Sequence, residues 1–268
     1  MLDLVLDSGA FTAWSRGTPV DLDEYIAYIK ANAEGIDHYV ALDVIPGAFG
    51  VKPSPAEVED SASQGWENLL YMQREGLDPV PVFHQGERFW WLERMIQHGC
   101  KYIGISPAND RTTQQKRLWL DRVFELVCDA NGCPRVKTHA FGVTAVPLLT
   151  RYPWYSADSA TWVLVAARGA ILVPKMLRGD FNYLVSPQVV FTSNKAKQSP
   201  HKEHWEQLSA ARRQQATAFL AQAGVTPEQV RDSHRYRAMA NVAFFRGFAA
   251  AKKDAPFTPK KRHLFEDA

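Results

Sequence analysis

The stretch HGCKYIGISPANDRTTQQKRLWLDRVFELVCDA, residues 98–130, decides the fold class. Glycine closes what comes before. KYIGIS (101–106) is a short apolar run with β-branched residues, and TTQQKRLWLDRVFELVCDA (112–130) carries apolar residues at helical spacing. Strand then helix, with turn residues before the strand, is one β/α unit. The same unit recurs on both sides. LVLD (4–7) precedes LDEYIAYIKANA, and HYVALDVI (38–45) precedes AEVEDSASQGWENLLYMQREG. PVPVFHQ (79–85) precedes ERFWWLERMIQHG, and KTHAFGV (137–143) precedes VPLLTRY. WYSAD (154–158) precedes SATWVLVAARG, and AILVPK (170–175) and QVVFTS (188–193) complete eight strand candidates.

Alternating β and α predicts a parallel sheet. Eight units in under two hundred residues predict an α/β fold of the (β/α)8, TIM-like barrel type. A doubly wound nucleotide fold would need a glycine fingerprint, and neither GxGxxG nor GxxxxGK[ST] occurs. After the barrel the pattern turns helical. HKEHWEQLSAARRQQATAFLAQAG reads as a helix ending at Gly224, Thr226 and Pro227 open the next, and residues 233–252 form a third. The predicted division is a catalytic barrel over 1–195 and a helical basic C-terminal appendage over 196–268.

Charge is unevenly spread. From residue 191 onward there are 14 Lys+Arg and 7 Asp+Glu, a net of +7, against −5 for the rest. Arg235, Arg237, Arg246, Lys252 and Lys253 punctuate the last helix, and KKRH follows at 260–263. This predicts contact with a polyanion at that end; a solvated helical face is the plainer alternative. No apolar run is long enough for a bilayer, and MLDLVLDSGAF lacks a basic n-region, so a cytoplasmic protein with no membrane partner is expected. Three scattered cysteines, Cys100, Cys128 and Cys133, predict neither a disulfide framework nor a zinc site.

In such a barrel the chemistry gathers at the C-terminal ends of the strands. There the sequence places Asp7 and Ser8, Asp43, His84 and Gln85, Gly104, His139, Phe141 and Gly142, and Asp158. A carboxylate after an apolar strand is costly to bury unless it is paired, bonded or working. Each has a plain alternative: Asp7 and Asp158 as N-caps shared with Ser8 and Ser159, Asp43 as a turn cap, and His139 as a packed strand residue.

As an ordered series these segments resemble the queuine/archaeosine tRNA-guanine transglycosylase superfamily. DSGAF (7–11) is similar to its DSGGF/DSGGY motif, ALDVIP (41–46) to its FDExxP-like segment, VFHQGE (82–87) to VQGG and YIGIS (102–106) to IGG. HAFGVTAVPLL (139–149) with YSADSATW (155–162) is similar to MGVGxPxxL…FDCxxP, and closer to FDSASY. The resemblance covers roughly residues 1–175. It implies a cofactor-free barrel enzyme that exchanges guanine for a 7-deazaguanine on a nucleic acid. Asp158 then matches the nucleophile and Asp7 the general acid/base. Asp43 and Gln85 match readers of the guanine edge, and Phe11 and Phe141 the pair that sandwiches the base. Gly104 and Gly142 match pocket backbone; Ser8 and His139, from their strand-end positions, are further substrate-binding candidates. Three features depart from the pattern. All three cysteines precede Asp158, whereas the family's zinc motif follows its nucleophile. Glu87 replaces the second glycine of QGG, and Ile105 that of strand four. A short, zinc-free chain with a helical tail resembles the phage-encoded branch that modifies DNA, so DNA is expected over tRNA and a free 7-deazaguanine base as co-substrate. A barrel glycosidase or metal-dependent hydrolase using His139, and a non-catalytic nucleic-acid-binding module, are the alternatives.

Overall fold

All eight predicted strands form in the computed structural model, which describes residues 4–194, 203–253 and 255–259. The chain divides into two compact units. Among the described residues the first comprises 4–141, 154–157 and 256–259; the second comprises 142–153 and those between 158 and 255. The boundary predicted at 195/196 falls inside the second unit.

The first unit is a parallel sheet with helical crossovers. Its strands are β1 (Val5–Leu6), β2 (His38–Tyr39), β3 (Val82–His84), β4 (Tyr102–Ser106), β5 (Lys137–Ala140) and β6 (Ser156–Ala157). β1 pairs with β2, and β3 to β6 pair in sequence order, all parallel. A parallel bridge between Val40 and Val80 joins the two sets, with Ala41 N–H donating to the Val80 carbonyl at 2.8 Å. Most of β4 is buried, as its unbroken apolar run requires of a strand covered on both faces.

Four of this unit's helices follow the predicted runs: α2 (Leu22–Ala31), α3 (Pro55–Arg74), α4 (Phe89–Gln97) and α5 (Thr113–Val127). A fifth, α1 (Ala10–Arg16), was not predicted. α3 and α5 open with reciprocal capping boxes, Ser54 with Glu57 and Thr112 with Gln115, which satisfy the otherwise orphaned first-turn amides. α5 buries Leu120, Val123, Phe124 and Val127, one face at helical spacing. The chain's last described segment also belongs here. Phe257 N–H donates to the Gly132 carbonyl at 2.8 Å, and its ring packs near Phe124.

The second unit holds α6 (Val146–Arg151), α7 (Thr161–Ala167), β7 (Ala170–Val173), the hairpin β8 (Lys175–Leu177) and β9 (Asp180–Asn182), β10 (Gln188–Phe191) and β11 (Glu203–His204). Helices α8 (Ala210–Gln222), α9 (Pro227–Asp232) and α10 (His234–Ala251) complete it. Two expectations change. The seventh and eighth predicted strands, β7 and β10, pair antiparallel. The segment between them contains a hairpin and no crossover helix, so the chain returns in the opposite sense. The helix predicted from residue 201 starts only at Ala210, capped by Ser209; residues 201 and 202 lie outside the described residues. The basic helix α10 is integral to this unit. α10 packs on α7 and β7, and buried Asn241 accepts from Leu172 N–H at 2.7 Å while donating to the Trp162 carbonyl at 2.9 Å. The fold is thus α/β with a parallel sheet, and among the described residues no helix is long and apolar enough to cross a membrane.

Candidate active site

Three strand ends of the first unit converge on one bonded chain of side chains. At the end of β1, the Ser8 hydroxyl is buried and donates to Asp43 Oδ1 at 2.9 Å. Asp43 follows the extension of β2 and meets His84 Nε2 through Oδ2 at 3.0 Å. His84, at the end of β3, meets Glu87 Oε1 through Nδ1 at 2.9 Å. The turn needs Gly86, whose φ of 125° lets the chain double back so that Glu87 reaches a residue three positions earlier. The side chains of Asp43 and Glu87 are 14% and 7% exposed.

The electrostatics follow from this geometry. Burial pushes the Asp43 carboxyl up, but the bond and charge of His84, with the Ser8 hydroxyl, outweigh it and hold the carboxyl below its ordinary value. Burial opposes charge on His84 as well, yet the bonds to Asp43 and Glu87 prevail and push it up to about 10. The anionic form of Asp43 is thereby favoured. Next in the chain after His84, Gln85 accepts from Ala108 N–H at 3.1 Å through its side-chain carbonyl, which leaves the amide's NH2 to donate to a ligand.

Asp7 is exposed at the β1 terminus. Helix α1 begins at Gly9 with no side-chain cap, while the Ser8 hydroxyl accepts from Ala10 N–H. Phe11, on α1, is 52% exposed and packs against Trp14, which in turn meets Phe49 edge-on at 5.1 Å. Trp14, Phe49, Arg16, Asp43, Gln64 and Asn68 line a cavity of about 790 Å³ within this unit.

Gly104, His139 and Phe141 form a second group. A Cβ on Gly104 would lie 2.3 Å from the Phe141 ring, so this glycine is the floor on which Phe141 rests rather than open pocket backbone. His139 is buried, edge-on to Phe141 at 4.4 Å, with Nδ1 on the Ser156 hydroxyl, which also bonds Tyr102. It is a packed strand residue.

In the second unit Asp158 is exposed and accepts from Gly142 N–H at 2.8 Å. Gly142 has φ 63°, which favours glycine there. The N-cap of α7 is Ala160, and the Ser159 hydroxyl accepts from the Thr161 N–H. Of the basic residues, Arg235, Arg246 and Lys253 are exposed and Lys252 is half-buried. Arg237 departs from expectation. It is buried, donating through Nε to the Ala166 carbonyl and through Nη1 to those of Val230 and Arg231. The KKRH run at 260–263 lies outside the described residues.

Among the described residues no group of three His, Cys, Asp or Glu side chains is arranged to hold a metal ion. No family model matches the chain, and no curated protein is significantly similar to it.

Proposed function

We propose that the chain is a base-exchange transglycosylase that replaces guanine in DNA with a 7-deazaguanine through a covalent aspartyl-glycosyl intermediate. The observation that carries the reading is Asp43: a mostly buried carboxylate at a strand end, held anionic by His84 and Ser8, with Gln85 at the next strand end as the second reader in this proposal. Guanine and 7-deazaguanine present adjacent N1–H and N2–H donors to an anionic acceptor and a carbonyl to an amide donor; adenine lacks this pattern. The six consecutive parallel strands are, in this reading, the opening strands of a (β/α)8 barrel.

Asp158 attacks C1′ of the nucleotide. The C1′–N9 bond breaks, its electron pair stays with guanine, and Asp7 in its acid form protonates a ring nitrogen of the departing base. The incoming 7-deazaguanine then gives its N9 proton to the Asp7 carboxylate. N9 attacks C1′, and Asp158 leaves with the electrons of its ester bond, as in retaining glycosidases. Phe11 and Phe141 stack on the base faces, Ser8 orients Asp43, and Gly142 orients Asp158. The target nucleotide must leave its duplex, and Arg235, Arg246, Lys252 and Lys253 bind phosphates nearby in sequence to none of the catalytic groups. The enzyme acts in the cytoplasm, that of a host cell if it is phage-encoded. No observation favours the hydrolase alternative, since the His139 it would recruit is buried against Tyr102, Ser156 and Phe141.

Mass spectrometry of nucleosides from DNA and tRNA incubated with the protein and candidate 7-deazaguanines tests the reading. A 7-deaza-2′-deoxyguanosine is expected. Incorporation into tRNA alone would move the activity to that polymer, and incorporation into neither would overturn the proposal. Asp158→Asn is expected to cut exchange by about a thousandfold or more with DNA binding retained.

A further inference from the structure

We infer that His84 and Glu87 are positioning residues: bonded in series behind Asp43, they orient its carboxylate so that it offers only acceptors to a bound base, an inference that rests on the base-exchange reading.

The argument is one of protons and lone pairs. His84 meets a carboxylate through each ring nitrogen, at 2.9 Å and 3.0 Å. An ionised carboxylate only accepts, so both nitrogens must donate, and a ring that donates twice is an imidazolium. The chain Glu87⁻–His84⁺–Asp43⁻ then carries one net negative charge, with Ser8 donating to the far oxygen of Asp43. Each Asp43 oxygen has one fixed donor and a further lone pair for a ligand. A rigid acceptor edge of this kind suits two adjacent N–H donors and leaves a base without them unsatisfied. Without the Glu87 carboxylate, His84 would lose one of the two bonds that keep its charge against burial. Without His84, burial would favour the protonated acid, which could donate and would no longer read the same edge.

Other groups face Asp43. Tyr25 of α2 feels the charges of Asp7, Asp43 and Tyr39, and Arg16 of α1 lines the same cavity as Asp43. Burial first, then the charges of Asp7 and Asp43, push the Tyr25 phenol far up, so it stays neutral, and its hydroxyl donates to the Val40 carbonyl. Asp7 is exposed and shared by wild type and variants, so comparison between them isolates the His84 effect.

Two measurements on the full chain test this. Nitrogen-15 NMR, with the His84 signals assigned by their loss in His84→Gln, is expected to show both ring nitrogens protonated at pH 8. In Glu87→Gln the same ring is expected to lose its proton at a lower pH than in wild type. A neutral His84 ring at pH 8 in the wild type would overturn the inference. Calorimetric binding of free guanine is the second arm. Wild-type affinity is expected to stay level between pH 8 and pH 5.5, and His84→Gln is expected to weaken by about tenfold over that interval. Parallel profiles for the two proteins would also overturn it. If guanine binds neither protein at any pH, the base-exchange reading fails, while the NMR arm still decides the charge state of His84. A His84→Gln protein that fails to fold leaves Glu87→Gln, whose His84 titration must shift downward if the inference holds.

Discussion

His84 and Asp43 move in opposite directions from their ordinary values, and the pair makes a definite statement about stability and pH. The Asp43 carboxyl is lowered on folding, so its contribution is present at neutral pH and lost as acid protonates it. The His84 imidazole is raised from 6.5 to about 10, so its contribution is complete below about 6.5 and disappears as pH climbs through about 10. Urea midpoints measured against pH are therefore expected to fall steadily across the alkaline range from about 6.5 to 10. His84→Gln is expected to flatten that limb; an equally steep limb in the variant would show that another group causes it. Asp43→Ala is expected to cost about 3 kcal/mol or more, because it strands a mostly buried imidazolium and the Ser8 hydroxyl. Asp43 and His84 were both visible in the sequence as polar residues at strand ends. The bonded chain they belong to was not, because its far end depends on the Gly86 turn that brings Glu87 to His84, and the sequence presented Glu87 only as a departure from a glycine motif.

On α10, residues two positions apart in a basic-looking run do unlike jobs. Arg237 faces inward and ties the helix to three carbonyls of its own unit, whereas Arg235 faces solvent. Arg237→Ala is expected to destabilise the fold by about 3 kcal/mol, since it orphans several buried acceptors together. Arg235→Glu is expected to leave stability within about 0.5 kcal/mol and to weaken DNA binding with a shallower salt dependence. Thermal melts and a salt titration of DNA affinity separate the two; equal loss of DNA affinity without destabilisation in Arg237→Ala would contradict its structural role. Composition alone counts both as positive charge, and only packing tells them apart. The same limit explains the other elements that periodicity missed. The β8–β9 hairpin has three-residue strands, too short for alternation to register, and its two-residue turn holds Arg178 at φ 54° before Gly179. Helix α8 begins late because Glu203 and His204 are drawn into a strand beside β10, although HKEHWEQ has helical spacing. Strands such as β4 and β7, and helices such as α5, were legible because their apolar runs are buried in the pattern that hydrophobicity dictates.

At the scale of the whole chain, the two units are not consecutive in sequence. The backbone passes from one to the other at 141/142, 153/154, 157/158 and 255/256. Sequence alone does not show these crossings, because a basic helical run looks separable whether or not its end returns to an earlier unit. The return is made by Phe257, which is 4% exposed. Opposite it, Gly132 has φ 78°, and a Cβ there would lie 2.2 Å from the Phe257 carbonyl oxygen, a backbone atom that cannot rotate aside. The two residues thus form one clasp that holds the chain's last described segment on the first unit. Phe257→Ala is expected to cost about 3 kcal/mol from lost burial, and Gly132→Ala a comparable amount from strain and collision. Both act by releasing the same segment, so the double variant should be little worse than either single one, a coupling of about 2 kcal/mol in a double-mutant cycle of urea unfolding. Strict additivity would mean that the segment stays docked in one of the single variants, and the clasp would then not be the contact that joins residue 257 to the first unit.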